Sequence, residues 1–341
     1  MDEEPDFTYE EAITDCKKRI RPEFSEDEWS AKKFHALDLE VLNAPQENCD
    51  KIHVNDFTVE EFVDKYETAS RPCIIRGAMD GWRAYGKWSL EWLAQEHGDV
   101  ELRCGDDEEG ERVEIKLSHF VRYMQEQEDD NPLYVFDENF ADDEKETASM
   151  AQDFSIPTYF QEDLFKYLGE DDRPPYRWVL VGPKRSGSSI HIDPCGTSAW
   201  NSLLAGRKRW VLFPPGTPRS VIKPESWLAQ KRSEALDWFL YHLDGMKQQL
   251  PAHQQPVEVI MEAGETIFVP GGWWHTVLNL EDTIAVTQNF VSSNNFMLVY
   301  QELKTSRTKL SRKWLRSLSF DRQDLVEVLK RNEKEEGKRE G

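Results

Sequence analysis

Long apolar runs are missing from this 341-residue chain. No stretch approaches the ~18 consecutive apolar residues that cross a bilayer. The opening Met1-Asp2-Glu3-Glu4-Pro5 has neither the positive start nor the apolar run of a secretory leader. The expectation is a soluble intracellular protein with no membrane partner. Cysteine is scarce as well: Cys16, Cys49, Cys73, Cys104 and Cys195 are odd in number, scattered and free of any C-x-x-C pair. That spacing gives no zinc site or dithiol couple and leaves reduced thiols as the reading. Basic charge is also short, with 42 Lys and Arg against 65 Asp and Glu and a net charge of −23. Such a surface does not grip a phosphate backbone broadly; it attracts basic peptides. The plainer role of the same carboxylates is solubility. The length allows one large domain with appendages.

Four segments follow from the patterning. Residues 1–55 mix acids and bases with a modest helical period, with a helix start at Ser25-Glu26-Asp27-Glu28, and predict an N-terminal helical extension. Residues 56–142 read as an α/β flanking region. Thr58 caps a helix with Glu61 closing the capping box, Pro72–Gly77 is a buried strand, Trp88–Ala94 a helix, and Pro132–Phe136 an apolar island among acids. Residues 143–303 contain a series of short β runs: Tyr176–Val181, Ser198–Leu204, Arg209–Phe213, Val257–Met261, Thr266–Val269, Thr276–Leu280 and Thr283–Phe290. Turn residues such as Pro214-Pro215-Gly216 separate most of them, and a helical insert, Pro224 to about Lys247, interrupts the series. Residues 304–341 are basic and helical and end in a charged, irregular tail from Arg331. Many short, well-punctuated strands predict a sandwich or barrel flanked by helices.

His191 and Asp193 stand two residues apart after a Gly-rich turn, so on an extended backbone they face one side. One imidazole and one carboxylate make two ligands of a facial triad, which suits iron(II) because it leaves coordination positions open. His275 is the candidate third ligand. It returns from the tight Pro270-Gly271-Gly272 turn, and in a double-stranded β-helix such a turn brings its histidine beside a site on an earlier strand. The plainer reading of His275 is a satisfied core histidine.

A dicarboxylate co-substrate such as 2-oxoglutarate needs a cation or hydroxyls at its far end, because an unpaired buried carboxylate is costly. Lys208 and Thr287 both lie on β runs after the metal motif and can point inward. Arg207 and Arg209 fall on the opposite face by the period of two, where surface charge is their ordinary role. Tyr134 and Asn201, taken alone, read as ordinary packed strand residues. Trp178, Trp273 and Trp274 offer faces to a cationic side chain or serve as core.

The segments HIDPCGTSAWNSLLAGRKRWVLFPP and ETIFVPGGWWHTVLNLEDTIAVTQNF closely resemble those of JmjC-domain oxygenases that act as arginine demethylases and lysyl hydroxylases. PLYVFD, RPPYRWVLVGP and TKLSRKW extend the likeness over roughly residues 55–316. The resemblance implies a mainly β, double-stranded β-helix (jelly-roll, cupin-like) with helical extensions, and His191, Asp193 and His275 as ligands of Fe(II). It further implies that Lys208 and Thr287 bind the far carboxylate of 2-oxoglutarate. Tyr134 and Asn201 complete that pocket, with Ser188 at a position where the family has threonine. Dioxygen is the implied co-reactant and ascorbate the reductant. Implied substrates are Lys/Arg-rich proteins such as histone tails or splicing-factor-like segments, and the implied location is the nucleus, with the cytoplasm as the alternative. The chain lacks the serine-rich tail of the proteins it resembles, and its own tail mixes Lys with Glu. RNA contact would fall on the basic stretch 304–316, whose plainer reading is a solvated helix face; a homodimer is also admitted. Competing readings are a hydroxylase of another protein residue or an RNA base, and a non-catalytic peptide- or RNA-binding scaffold.

Overall fold

The computed structural model describes residues 7–42, 47–228 and 234–339. Met1–Pro5, five residues of the helical insert and the last two of the tail lie outside them. Thirteen strands occur in the described residues: β1 (Asp50–His53), β2 (Cys73–Arg76), β3 (Glu101–Asp106), β4 (Arg112–Lys116), β5 (Val135–Asp137), β6 (Arg177–Gly182), β7 (Gly187–His191), β8 (Ser198–Ala205), β9 (Arg207–Phe213), β10 (Val257–Glu262), β11 (Glu265–Val269), β12 (Trp274–Asn279) and β13 (Thr283–Phe290). They form a seven-stranded sheet ordered β1-β2-β11-β8-β13-β6-β5, a four-stranded sheet ordered β10-β9-β12-β7, and the hairpin β3-β4. Strands β6 to β13 alternate one by one between the two larger sheets, except that β9 and β10 follow each other in the smaller one, and with the flanking helices they make a double-stranded β-helix.

Period-two alternation builds the barrel. Its apolar interior takes Ala199 and Leu203 from β8, Trp210 and Leu212 from β9, Ile267 and Val269 from β11, Val277 from β12 and Ala285 from β13. Helices cover the outer faces. The N-terminal helix Tyr9–Ile20, held by a Thr8–Glu11 capping box, adds Cys16 to the core that also lies against β8 and β13. The insert helices Ala235–Tyr241 and Leu243–Gln249 pack Trp238, Phe239 and Met246 with Val211 and Phe213 of β9. The C-terminal helices Phe296–Ser306 and Thr308–Asp321 bury Trp314 and Leu318 against Leu164 and Phe165. The capping box at Thr58 and Glu61 is present.

Several expectations need correction. Among its described residues the N-terminal extension holds one α-helix and short 3-10 turns, then supplies β1, which pairs in parallel with β2 at the rim of the large sheet. It is therefore part of the barrel wall. The hairpin β3-β4 escaped the sequence reading because Glu-Leu-Arg-Cys-Gly-Asp and Arg-Val-Glu-Ile-Lys carry charge at most outward positions. The tail continues as helix Gln323–Arg339 rather than turning irregular at Arg331. Among the described residues no helix is long and apolar enough to cross a membrane.

Arg209 also departs from expectation. It does face away from the barrel interior, but the N-terminal segment and insert helices cover that face, leaving Arg209 5% exposed. Its guanidinium donates to Glu258 Oε2 at 2.8 Å and to the Leu42 carbonyl, and Lys247 reaches the other oxygen of Glu258. Removing one partner of a buried pair strands the other charge, at a cost of about 3–5 kcal/mol. Glu258→Ala should lower the unfolding free energy by about that amount in urea titration, whereas Arg209→Met with Glu258→Leu should recover most of the loss. A loss below about 1 kcal/mol in the single variant would mean that the pair is not desolvated as described.

Candidate metal and co-substrate site

Antiparallel pairing of β12 with β7 sets His275 directly across from His191. Directly opposed residues on such strands place their Cβ atoms about 4.5–5.5 Å apart, and here the two imidazole centroids are 4.2 Å apart. Beyond His275 a register shift intervenes before Val277 meets Ser188. Asp193 follows β7 with extended backbone, and Pro194 then opens a single 3-10 turn. Its Oδ1 lies 3.9 Å from Nε2 of both His191 and His275.

Two glycines bring these halves together. Gly272, at φ +81°, lets the turn before β12 close. At Gly271 a Cβ would stand 2.3 Å from the Gly196 carbonyl oxygen, so only glycine allows the turn to rest on the segment following Asp193.

The donor set fits a metal ion. One ligand atom from each of the three side chains lies within 4.8 Å of the others. Bonds of about 2.1 Å limit donors on one ion to about 4.2 Å apart, so a small inward swing suffices. Nδ1 of His191 lies 2.8 Å from the Ser189 carbonyl, and Nδ1 of His275 lies 3.1 Å from the Trp273 carbonyl. A proton on each Nδ1 satisfies those carbonyls and leaves both Nε2 lone pairs facing Asp193. Asp193 Oδ2 is buried with no hydrogen-bond partner among the described residues. Burial inside the barrel, with His275 alongside, pushes His191 down to about 4, so its ring is neutral and able to ligate at physiological pH. The His191 side chain still keeps 39% of its surface open, onto the cavity.

That cavity, about 560 Å³, is lined by all eight residues singled out in the sequence: Tyr134, Ser188, His191, Asp193, Asn201, Lys208, Thr287 and His275. Lys208 lies at a distance from the triad along β9, where it pairs with Asn279 of β12 while Leu212 pairs with His275. It is 1% exposed, and its ammonium donates to the Tyr134 hydroxyl at 3.0 Å. No carboxylate pairs with it among the described residues. A buried cation with only a phenol for company is costly unless an anion joins it. Thr287 aligns with Asn201 on one side and Trp178 on the other, and its hydroxyl donates to the Trp200 carbonyl at 2.8 Å. Asn201 Oδ1 is buried and has no hydrogen-bond partner among the described residues.

Sequence reasoning missed other lining residues. Trp210 follows Lys208 by two residues and Asn289 follows Thr287 by two, so continuing each period of two would have found them. Phe136 and Arg103 come from β5 and β3, which no motif near the metal announces. Of the three tryptophans weighed for substrate contact, only Trp178 lines the cavity. Trp273 is buried, with its indole N–H on Ser70, and Trp274 packs beneath Lys223 at the insert. Cys195 takes a left-handed backbone, φ 59°, and burial raises its thiol pKa, so it is a packed thiol. Lys304, Arg307, Lys309, Arg312, Lys313 and Arg316 are exposed along the C-terminal helices, and Lys313 is ion-paired with Asp172.

The sequence pattern of the cupin-like domain family matches residues 59–296. The chain is 40% identical over 322 residues to the bifunctional arginine demethylase and lysyl-hydroxylase psr-1 of Caenorhabditis elegans, covering 93% of this chain and 79% of that protein. It is 40% identical over 280 residues to the arginine-specific demethylase JMJ22 of Arabidopsis thaliana, covering 82% of this chain and 52% of that one. Against the 2-oxoglutarate and iron-dependent oxygenase JMJD4 of Mus musculus the identity is 30% over 270 residues, 71% of this chain and 60% of the relative.

Titration with Mn(II), followed by the loss of free-ion paramagnetic resonance signal, should show one bound ion per chain. His191→Ala, Asp193→Ala and His275→Ala should each abolish stoichiometric uptake while retaining the barrel's circular dichroism. Undiminished uptake in any one of them removes that residue from the ligand set.

Proposed function

This chain belongs to the cupin-like domain family and its JmjC oxygenases, and from that premise we propose that it is an Fe(II)- and 2-oxoglutarate-dependent protein oxygenase. Its reaction is hydroxylation of lysine side chains, demethylation of methyl-arginine, or both, in basic protein substrates. The supporting observation is one cavity with three convergent metal donors toward one end and, toward the other, a buried ammonium that has no counter-charge among the described residues. The names of the relatives point the same way.

His191, Asp193 and His275 would hold the iron, and Lys208 with the Tyr134 hydroxyl would take the far carboxylate of 2-oxoglutarate. Asn201, Thr287 and Ser188 border the same pocket. Bound iron, with 2-oxoglutarate and dioxygen, supplies the oxidising power that turns a substrate C–H into C–OH, and ascorbate keeps the metal ferrous. The protein's part is positional. Lys208 neutralises the co-substrate's charge where water is excluded, Trp178 and Phe136 give the target chain an apolar wall, and the barrel keeps the reacting carbon away from bulk solvent.

On a lysine methylene the new alcohol persists. On an N-methyl group of arginine the hydroxymethyl product releases formaldehyde and leaves demethylated arginine. The net charge of −23 favours Lys/Arg-rich partners such as histone tails or splicing-factor-like segments, and a nuclear location belongs to the same proposal.

Protein supplied with Fe(II), ascorbate and 2-oxoglutarate should form succinate faster when Lys/Arg-rich peptides are present, and His191→Ala or Asp193→Ala should stop it. Mass spectrometry of the peptides then distinguishes a gain of oxygen on lysine from loss of methylene on methyl-arginine. Full turnover in both variants would end the proposal, as would succinate formation with no change on any peptide tried.

A further inference from the structure

We propose that the N-terminal helix is a working part of the co-substrate pocket: polar contacts run from Lys17 through Asp129 and Tyr123 to the backbone of Leu133, and the next residue, Tyr134, receives Lys208, making Lys17 a positioning residue for 2-oxoglutarate. The inference rests on reading Lys208 as the seat of the co-substrate's far carboxylate.

Each link is short and shielded. The Lys17 ammonium, on the helix Tyr9–Ile20, lies 2.8 Å from Oδ1 and 2.7 Å from Oδ2 of Asp129, a carboxylate only 7% exposed. The Tyr123 hydroxyl donates to Asp129 Oδ2 at 2.5 Å and accepts the Leu133 backbone N–H at 3.0 Å. Burial and the Asp129 charge raise the pKa of Tyr123, so its phenol stays protonated and able to donate. Leu133 precedes Tyr134, whose hydroxyl receives Lys208 at 3.0 Å.

Tyr134 has little freedom of its own. Its ring lies against Gly182 so closely that a Cβ there would fall 2.4 Å from Cδ2. With the ring confined sideways, its hydroxyl moves when its backbone moves, and Tyr123 holds that backbone. The loop carrying Asp129 is fastened from both sides. Arg185, 2% exposed, donates to the Asp129 carbonyl at 2.9 Å and to Gln127 at 2.8 Å. From the N-terminal side, Asp130 donates its N–H to the Trp29 carbonyl at 2.7 Å and accepts the backbone N–H groups of Lys32 and Phe34 at 2.7 and 2.8 Å.

Discharging Lys17 would leave Asp129 buried with a phenol as its remaining side-chain partner, which favours its withdrawal toward water. Withdrawal pulls on Tyr123 and on the Leu133–Tyr134 backbone, so Lys208 loses its orienting hydroxyl. Support at one remove of this kind is worth about 10–100-fold in affinity at metal sites.

The test uses the full chain: 2-oxoglutarate binding is read by protein fluorescence with Zn(II) in place of iron, and steady-state kinetics are measured with Fe(II). Lys17→Met keeps an unbranched side chain of similar length and removes the ammonium, which also lies 5.0 and 5.5 Å from the ring centroids of Trp29 and Tyr123. It should raise both the Kd and the KM for 2-oxoglutarate about tenfold, with kcat within about twofold and the peptide KM unchanged. Tyr123→Phe should act in the same direction, and Lys17→Arg should restore most of the affinity. Arg19→Ala, which removes from the same helix an ion pair to Asp107 in the β3–β4 turn, should leave the affinity at its wild-type value. Wild-type affinity in both Lys17→Met and Tyr123→Phe overturns the inference, and so does an equal loss in Arg19→Ala, which would indicate general loosening. Failure of the wild-type protein to bind 2-oxoglutarate would instead overturn the reading of Lys208.

Discussion

The pairing of β12 against β7 is the constraint on which the site depends. It fixes which residues oppose one another across two strands more than eighty positions apart in sequence, and a slip of one residue would turn every side chain on β12 to the other face. His275 would then join the outer core beneath the insert helices, and no rearrangement of side chains could return it to His191. The Pro-Gly-Gly turn and the register shift after His275 are local adjustments to that requirement. Bulges of this kind re-aim side chains beside functional sites.

Neighbouring residues on one strand show how the fold treats charge. Lys208 and Arg209 are both buried, on opposite faces of β9. Arg209 meets a carboxylate and a backbone carbonyl, and Lys247 holds the other oxygen of the same carboxylate. That side of the strand is electrostatically closed. Lys208 meets a neutral phenol. The difference separates a cation whose charge is met within the fold from one paired only with a phenol among the described residues, and sequence alone does not draw it, since both read as basic residues in a β run. The expectation of surface charge for Arg209 failed because the covering elements, the segment through Leu42 and the insert, come from distant parts of the chain.

Where chemistry sits on regular strands, the sequence was legible. His191, Asp193 and the returning His275 were readable as a triad from period two and turn chemistry, and seven of the eight barrel strands from apolar alternation. The eighth, Gly187–His191, has too few β-branched residues to announce itself, and its partner β12 makes it a strand. The placing of Tyr134, Asn201 and Ser188 at the cavity came from family likeness, since nothing local sets a tyrosine in an apolar island apart from an ordinary packed residue. The integration of the N-terminal region was the least legible feature. Its sequence has the charge mix of a solvated helix, and its importance lies in long-range contacts such as Lys17 with Asp129.

The adjacent glycines before β12 are required for different reasons. Gly272 is constrained by its own backbone angle, while Gly271 is constrained by an oxygen belonging to another turn. Asparagine, which tolerates left-handed backbone, satisfies the conformational requirement at Gly272. At Gly271 the side chains of all other residues begin with the same obstructed carbon, so conformational tolerance brings no relief there. Two identical letters in a row thus carry unequal mutational latitude, one governed by torsion and the other by a neighbour's position.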